Sequence, residues 1–143
     1  MALTVLDAGI VIAVLSARDA HHGPARAALG ALRRAGHELA LPASAYAEAL
    51  VEPFEHDANS AREIDEFLAA LPAHVAQVDR QTANAAAQLR ARHRSLKLPD
   101  ALVIATAETL QADQVMTTDR GWPRGLPIRV HVVGQRAGPA RRR

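Results

Sequence analysis

Four acidic residues fall at places where an α/β chain carries functional groups. Asp7 comes directly after a short β-type run, and Asp119 follows a later one. Glu48 and Asp100 lie in two segments with helical patterns. If the four carboxylates meet without basic partners, each one drives its neighbours to take up a proton, so the cluster is costly. Because a divalent cation removes that cost, the pattern predicts a metal site.

Hard oxygen ligands of this kind favour Mg²⁺ or Mn²⁺. The chain contains no cysteine, so it has no thiolate to offer a metal. Since Mg²⁺ is usually held by one or two carboxylates together with phosphate oxygens of the substrate, the inferred substrate is a phosphodiester. Such an ion lowers the pKa of a bound water and neutralises charge on the departing oxygen, and a second ion is possible. No side-chain nucleophile is then required.

Short β-type runs alternate with helical patterns along the chain, which predicts parallel strands joined by helical crossovers in an α/β layer sandwich. The runs cover residues 3–6, 38–41, 74–78, 114–117 and 129–133. In an open parallel sheet, the ligand site lies beyond the carboxyl ends of the strands, where the strand order reverses. If the first strand is central, Asp7 and Asp119 stand at that point, and we expect their carboxylates to converge.

The helical patterns are bounded by recognisable start and stop residues. The first helix follows Asp7 at once, and the second covers about 22–35 before Gly36 closes it. The third, which carries Glu48, covers about 43–51 and is expected to stop at Pro53. The remaining three are predicted over about 60–71, from Asp79 as N-cap to about 93, and from Pro99 onward with Asp100 in the first turn.

Length and composition favour one compact domain. The 143 residues are 49% hydrophobic, mostly aliphatic, and we expect a nuclease-like domain over 1–134 with a basic, flexible tail over 135–143. The terminal arginines 141–143 more than account for the net charge of +2. An acid already at Asp7 argues against a secretory signal, and no apolar run approaches the roughly 20 residues needed to span a bilayer. A cytoplasmic location, without membrane attachment, is the expectation.

Each acid also has a purely structural interpretation. Asp100 could complement the helix dipole, which is worth about 0.3–1 kcal/mol. Glu48 could be an exposed helix residue, and Asp119 with Arg120 and Gly121 could form an ordinary turn. Asp7 is the strongest functional candidate because it directly follows a buried-looking strand and precedes a helix. The joint placement of all four favours the functional interpretation.

The four acids, in this order and on these elements, make the chain similar to the PIN-domain family, in particular to the VapC-type toxins of bacterial toxin–antitoxin pairs. The resemblance spans about residues 3–133. It depends on four segments, 3–7, 45–50, 98–107 and 116–122, of which the third, Leu-Pro-Asp-Ala-Leu-Val-Ile-Ala-Thr-Ala, is the most distinctive.

The resemblance implies a three-layer α/β/α sandwich with a five-stranded parallel sheet in the order 3-2-1-4-5. It also implies a Mg²⁺- or Mn²⁺-dependent endoribonuclease that leaves a 5′-phosphate, a homodimer, and inhibition by a small VapB-like antitoxin. Asp7, Glu48, Asp100 and Asp119 match the family's acidic, metal-binding quartet. Thr117 matches a hydroxyl that supports the last acid.

One departure from the family pattern affects the expected metal site. The family often has Ser or Thr two residues after the first acid, whereas this chain has Gly9. A supporting hydroxyl is therefore missing at that position, and weaker metal binding is expected. The glycine itself would allow a tight turn from strand to helix and a close approach of phosphate.

Basic and apolar residues provide further candidates. Arg18, Lys97 and Arg120, with Arg124, fall in segments expected near the mouth of the crevice, where they could hold RNA phosphates. A set of apolar residues could line a groove for an antitoxin helix, although each could equally be core. That set consists of Leu29, Leu32, Phe54, Ile64 and Phe67.

Other functions for a doubly wound fold fit less well. A receiver domain needs adjacent acids after the first strand and a lysine after the fifth, and a dehalogenase-like phosphatase needs an acid at position 9, where Gly9 stands. The remaining alternative is a PIN-fold module, catalytically weak or inactive, that only binds RNA or a partner. Metal-dependent cleavage of RNA that is lost in Asp7→Asn would distinguish the two.

Overall fold

The computed structural model describes residues 2–57, 59 and 61–134. The predicted basic tail, 135–143, lies outside these described residues. The strands are β1 (Leu3–Leu6), β2 (Glu38–Pro42), β3 (Ala73–Ala76), β4 (Gln114–Thr117) and β5 (Arg129–Val132). The helices are α1 (Ala8–Leu15), α2 (His22–Arg34), α3 (Ala43–His56), α4 (Ala61–Ala70), α5 (Arg80–Arg92) and α6 (Leu98–Thr109).

All five strands form one parallel sheet in the order β3-β2-β1-β4-β5, which confirms the predicted order. The central strand β1 pairs with β2 on one side, where Val5 is in register with Ala40, and with β4 on the other, where Val5 is in register with Val115. The strand order therefore reverses between β1 and β4. This is the position at which an open α/β sheet forms its ligand crevice.

Helices cover both faces of the sheet. Val5 and Leu6 are neighbours on β1, so their side chains point to opposite faces, and both are 0% exposed. The same holds for Val115 and Met116 on β4. Burial on both faces explains why the adjacent residues Val5 and Leu6, and likewise Val115 and Met116, are all apolar and do not alternate with polar residues.

Two helix ends follow the sequence prediction closely. Gly36 has φ +78 and ends α2, with the Gly36 amide donating to Arg33 O and the His37 amide donating to Leu32 O. This is the paired hydrogen-bond pattern that a left-handed residue allows after a helix. Asp79 caps α5, because its carboxylate accepts from the Thr82 amide at 2.8 Å.

Several predicted boundaries were wrong. Helix α3 does not stop at Pro53 but continues through it to His56, and the Asp57 amide still donates to Pro53 O. Strand β3 ends at Ala76 rather than at 78, and α6 begins at Leu98 rather than at Pro99. Within the part of the chain that the structure describes, no helix is both long and apolar enough to cross a bilayer.

Candidate active site

The first acid stands where β1 passes into α1. The Asp7 amide donates to Met116 O at 3.0 Å, so the end of β1 is joined to β4 at the point where the strand order reverses. Asp7 is also the N-cap of α1, with its carboxylate accepting from the Ala8 amide at 2.8 Å. The backbone thus holds this carboxylate at the carboxyl edge of the sheet, as the sequence predicted.

The Asp7 carboxylate is buried, with the residue 8% exposed. Its other oxygen accepts a hydrogen bond from Thr117 Oγ1 at 2.7 Å. Burial raises the pKa of Asp7 and the charge on Asp119 raises it further, whereas the bonds from Thr117 and Ala8 lower it. Because the effect of burial is larger than that of the two hydrogen bonds, the pKa of Asp7 is raised and keeping its carboxylate ionised costs free energy.

Asp100 lies in the first turn of α6, after Pro99, whose fixed φ suits the start of a helix. Desolvation, followed by the charges of Asp7, Asp119 and Glu48, raises the pKa of Asp100 from 3.8 to about 6. The other three predicted acids therefore lie close enough to Asp100 to affect its ionisation.

Trp122 packs against both hydrophobic clusters of the core. Its indole Nε1 is buried and has no hydrogen-bond partner of ordinary length among the described residues. The N–H nevertheless lies near enough to Asp100 to lower the pKa of that carboxyl. Trp122 therefore packs in the core and also places its N–H near the Asp100 carboxyl.

Glu48 and Asp119 are more exposed than the other two acids. Glu48 lies on α3, and partial desolvation, together with the charge of Asp7, raises its pKa. Asp119 forms a turn, in which its carboxylate accepts from the Gly121 amide at 2.7 Å. The Asp119 amide donates to Thr117 Oγ1 at 3.1 Å, so a single hydroxyl connects the backbone of Asp119 to the carboxylate of Asp7.

The arrangement differs from a closed metal cage. Among residues 2–57, 59 and 61–134, no three acidic or histidine side chains are grouped closely enough to enclose an ion. The donor chemistry still suits Mg²⁺ or Mn²⁺, because Mg²⁺ commonly uses one or two protein carboxylates and keeps several waters. Asp7, Glu48 and Asp100 have no ion pair with any described basic residue, so no described side chain neutralises their charge.

The predicted phosphate-binding residues have different surroundings. Arg18 is exposed in the turn after α1, and Lys97 is exposed at the N-cap position of α6. The Arg120 guanidinium packs over Gly134, where a Cβ would come within 2.7 Å of Nη2. Arg124 helps to line a cavity of about 330 Å³ with Asp119 and Trp122.

A second cavity, of about 360 Å³, opens between α1, α3 and α4 beside Glu48. Its wall combines apolar residues with acids, among them Ile12, Glu52 and Glu63. Of the apolar residues proposed from the sequence for a groove, only Ile64 lines this cavity. Leu29 and Leu32 are buried core, Phe67 packs against the core, and Phe54 is 49% exposed.

Sequence reasoning missed one feature of the site. A Cβ added to Gly9 would lie 2.5 Å from Thr118 Oγ1, closer than real Cβ contacts permit. Position 9 therefore has no room for a side chain, because the Thr118 hydroxyl from the loop after β4 occupies that space. Only the pairing of β1 with β4 brings these two positions together.

A family model for the PIN domain matches residues 4–125 of the chain. The match covers most of the sequence and includes all four acids. The chain belongs to the PIN-domain family.

Several solved structures with the same fold come from bacterial toxin–antitoxin systems. A toxin–antitoxin complex from Klebsiella pneumoniae matches with a TM-score of 0.72 and 22% identity over 91% of this chain and 97% of that chain. VapBC2 from Rickettsia felis, bound to a promoter DNA fragment, gives a TM-score of 0.71 at 14% identity over 91% and 98%. VapC20 from Mycobacterium tuberculosis, a toxin that cleaves the sarcin-ricin loop, gives a TM-score of 0.63 at 16% identity over 78% of this chain and 86% of that chain. No curated protein sequence matches significantly.

Proposed function

We propose that this chain is a divalent-metal-dependent endoribonuclease and the VapC-type toxin of a toxin–antitoxin pair. The observation that carries the proposal is the pKa of Asp100, which burial and three other carboxylates raise to about 6. Carboxylates that raise the pKa values of their neighbours, with no basic partner for the buried ones, would be stabilised in their ionised forms by a cation. Membership of the PIN family and the toxin structures of the same fold support the assignment.

Asp7 and Asp100 would hold a Mg²⁺ or Mn²⁺ ion, with Glu48 and Asp119 completing the set. When bound, the ion supplies an activated water and neutralises charge on the scissile phosphate. Thr117 keeps the Asp7 carboxylate in one orientation, and the Asp119 amide fixes the Thr117 hydroxyl in turn.

A divalent cation held by the four carboxylates would favour a substrate that carries phosphate groups. The exposed Arg18 and Lys97 would attract the RNA backbone without reading its sequence. Arg120 would contribute from its position over Gly134.

A small antitoxin is the proposed protein partner. Several structures of the same fold are toxin–antitoxin complexes. The cavity between α1, α3 and α4 offers apolar contacts from Ile12 and Ile64 next to the acids Glu52 and Glu63. A partner segment with apolar and basic side chains would complement this wall and would approach Glu48. A homodimer is also part of the proposal, by the family resemblance alone.

Cleavage of single-stranded RNA by the purified chain tests the nuclease proposal. We expect cleavage with Mg²⁺ or Mn²⁺, none in excess chelator, and loss of activity in Asp7→Asn and Asp100→Asn with the fold intact. Glu66→Gln is the matched control, because it removes one exposed negative charge from α4 and should cleave like the wild type.

The alternative is a module of the same fold that binds RNA or a partner without cleaving. The lack of a closed group of ligands among the described residues is the observation in its favour. RNA binding without cleavage, at any metal concentration, would establish the binding module. Full activity in chelator, or in either asparagine variant, would overturn the metal mechanism.

A further inference from the structure

The loop after β4 places a free hydroxyl beside the first turn of α1. Thr118 lies between Thr117, which holds Asp7, and Asp119. Its Oγ1 occupies the space that a side chain on Gly9 would need, 2.5 Å from the ideal Cβ position. No residue that the structure describes forms a hydrogen bond with this hydroxyl, and Thr118 is only partly exposed.

The space between the first turn of α1 and the loop after β4 therefore has room for only one side chain. It can be reached from residue 9, two residues after Asp7 on α1, or from residue 118, which β4 carries to the same edge. A threonine is restricted at χ1, so its hydroxyl is held in place at little entropic cost. With Gly9 opposite, the hydroxyl keeps its space and its lone pairs remain available to water.

We propose that Thr118 is a positioning residue that supplies, from β4, the hydroxyl that residue 9 lacks. It would orient a water molecule in the hydration shell of the divalent ion beside Asp7. This inference rests on the proposed metal-dependent function. The hydroxyl that Gly9 cannot supply would then come from the loop after β4.

The test is Mn²⁺ affinity of the purified full chain, measured without RNA by electron paramagnetic resonance titration. Thr118→Val keeps the shape of the side chain and removes the hydroxyl. We expect it to weaken Mn²⁺ binding about 10- to 100-fold, the usual effect of losing a group that supports a metal ligand. Thr118→Ser keeps the hydroxyl and should bind Mn²⁺ like the wild type.

A swap of the hydroxyl between the two chain positions makes the test specific. Gly9→Ser alone should lower both the melting temperature and the Mn²⁺ affinity, because the new Cβ meets Thr118 Oγ1 or displaces it. In Gly9→Ser/Thr118→Ala the collision is gone, since the Thr118 Cβ lies at an ordinary 3.7 Å from the new Cβ, and a hydroxyl returns from residue 9. The double variant should therefore recover most of the affinity that Thr118→Ala alone loses.

The controls separate this inference from the proposed function. Thr109→Ala removes a hydroxyl that bonds to Ala105 O within α6, and it should leave Mn²⁺ affinity unchanged. If Asp100→Asn loses affinity but Thr118→Val retains it, the hydroxyl has only a packing role and this inference is wrong, while the metal site stands. If the wild type and Asp100→Asn bind Mn²⁺ equally weakly, both the inference and the proposed function fail.

Discussion

Replacing Asp100 by asparagine should stabilise the metal-free protein. Asparagine keeps the shape of the side chain and removes a charge that burial and three carboxylates oppose. The change in the pKa of Asp100, from 3.8 to about 6, corresponds to about 3 kcal/mol at full strength. Solvent screening of a half-buried group reduces this to about 1–2 kcal/mol. The lost interaction with the N-terminus of α6 costs about 0.3–1 kcal/mol, so we expect a net gain of about 1 kcal/mol.

The sign of the pH dependence follows from the raised pKa. Above pH 6 Asp100 is charged in both the folded and the unfolded chain, and the destabilisation is fully present. As the pH falls through 6 toward 4, the folded chain takes up the proton first, so the free energy of unfolding increases. The metal-free wild type should therefore gain stability between pH 7.5 and 5, and Asp100→Asn should gain less.

Thermal unfolding in chelator at pH 7.5 and pH 5 measures both effects. For a chain of this length, 1 kcal/mol corresponds to about 3–5 °C in Tm, so Asp100→Asn should melt about 3–5 °C higher at pH 7.5. Glu66→Gln removes an exposed charge from α4 and should stay within about ±0.5 kcal/mol of the wild type. A lower Tm for Asp100→Asn at pH 7.5, with the control unchanged, would refute the electrostatic reasoning.

Three further substitutions test the supports of the site and of the fold. Thr117→Val removes the hydroxyl that donates to the buried Asp7 carboxylate. In urea unfolding, the free energy of unfolding should fall by about 1–3 kcal/mol. An unchanged urea midpoint would mean that this hydrogen bond contributes nothing to stability. Trp122→Phe removes the indole donor near Asp100, so the pKa of that carboxyl, followed by carbon NMR, should rise; a fall would contradict the orientation of the indole. Gly36→Ala places a Cβ on a residue with φ +78, and we expect a loss of about 1 kcal/mol in the same urea assay, whereas a gain would mean that the turn tolerates a side chain.

The strands and the positions of the four acids were predictable because their signals are local. Each buried strand contains a short run of apolar residues; Asp7 directly follows β1, and Asp119 is the second residue after β4. The sheet order came from the family resemblance, and the structure confirms it. Asp79 and Gly36 were predictable for the same local reason, since one residue suffices to start or to end a helix.

Two features were not predictable because they depend on tertiary packing. Pro53 removes one backbone donor from α3, yet the helix continues to His56, so the rest of its hydrogen bonds and its packing outweigh the local preference. The contact between Gly9 and Thr118 exists only once β1 pairs with β4. From the sequence, Gly9 indicated only that a hydroxyl is missing at position 9. The fold shows that Thr118 fills the space beside it.

We propose that Asp7, Glu48, Asp100 and Asp119 act together on one divalent cation. Mn²⁺ binding to the purified protein tests this shared role, because the measurement needs neither the RNA target nor the antitoxin. A titration of the wild type and the Asp7→Asn and Asp100→Asn variants should show binding in the wild type and a large loss in both variants, with Glu66→Gln unaffected. Equal Mn²⁺ affinity in the wild type and both asparagine variants would contradict the account.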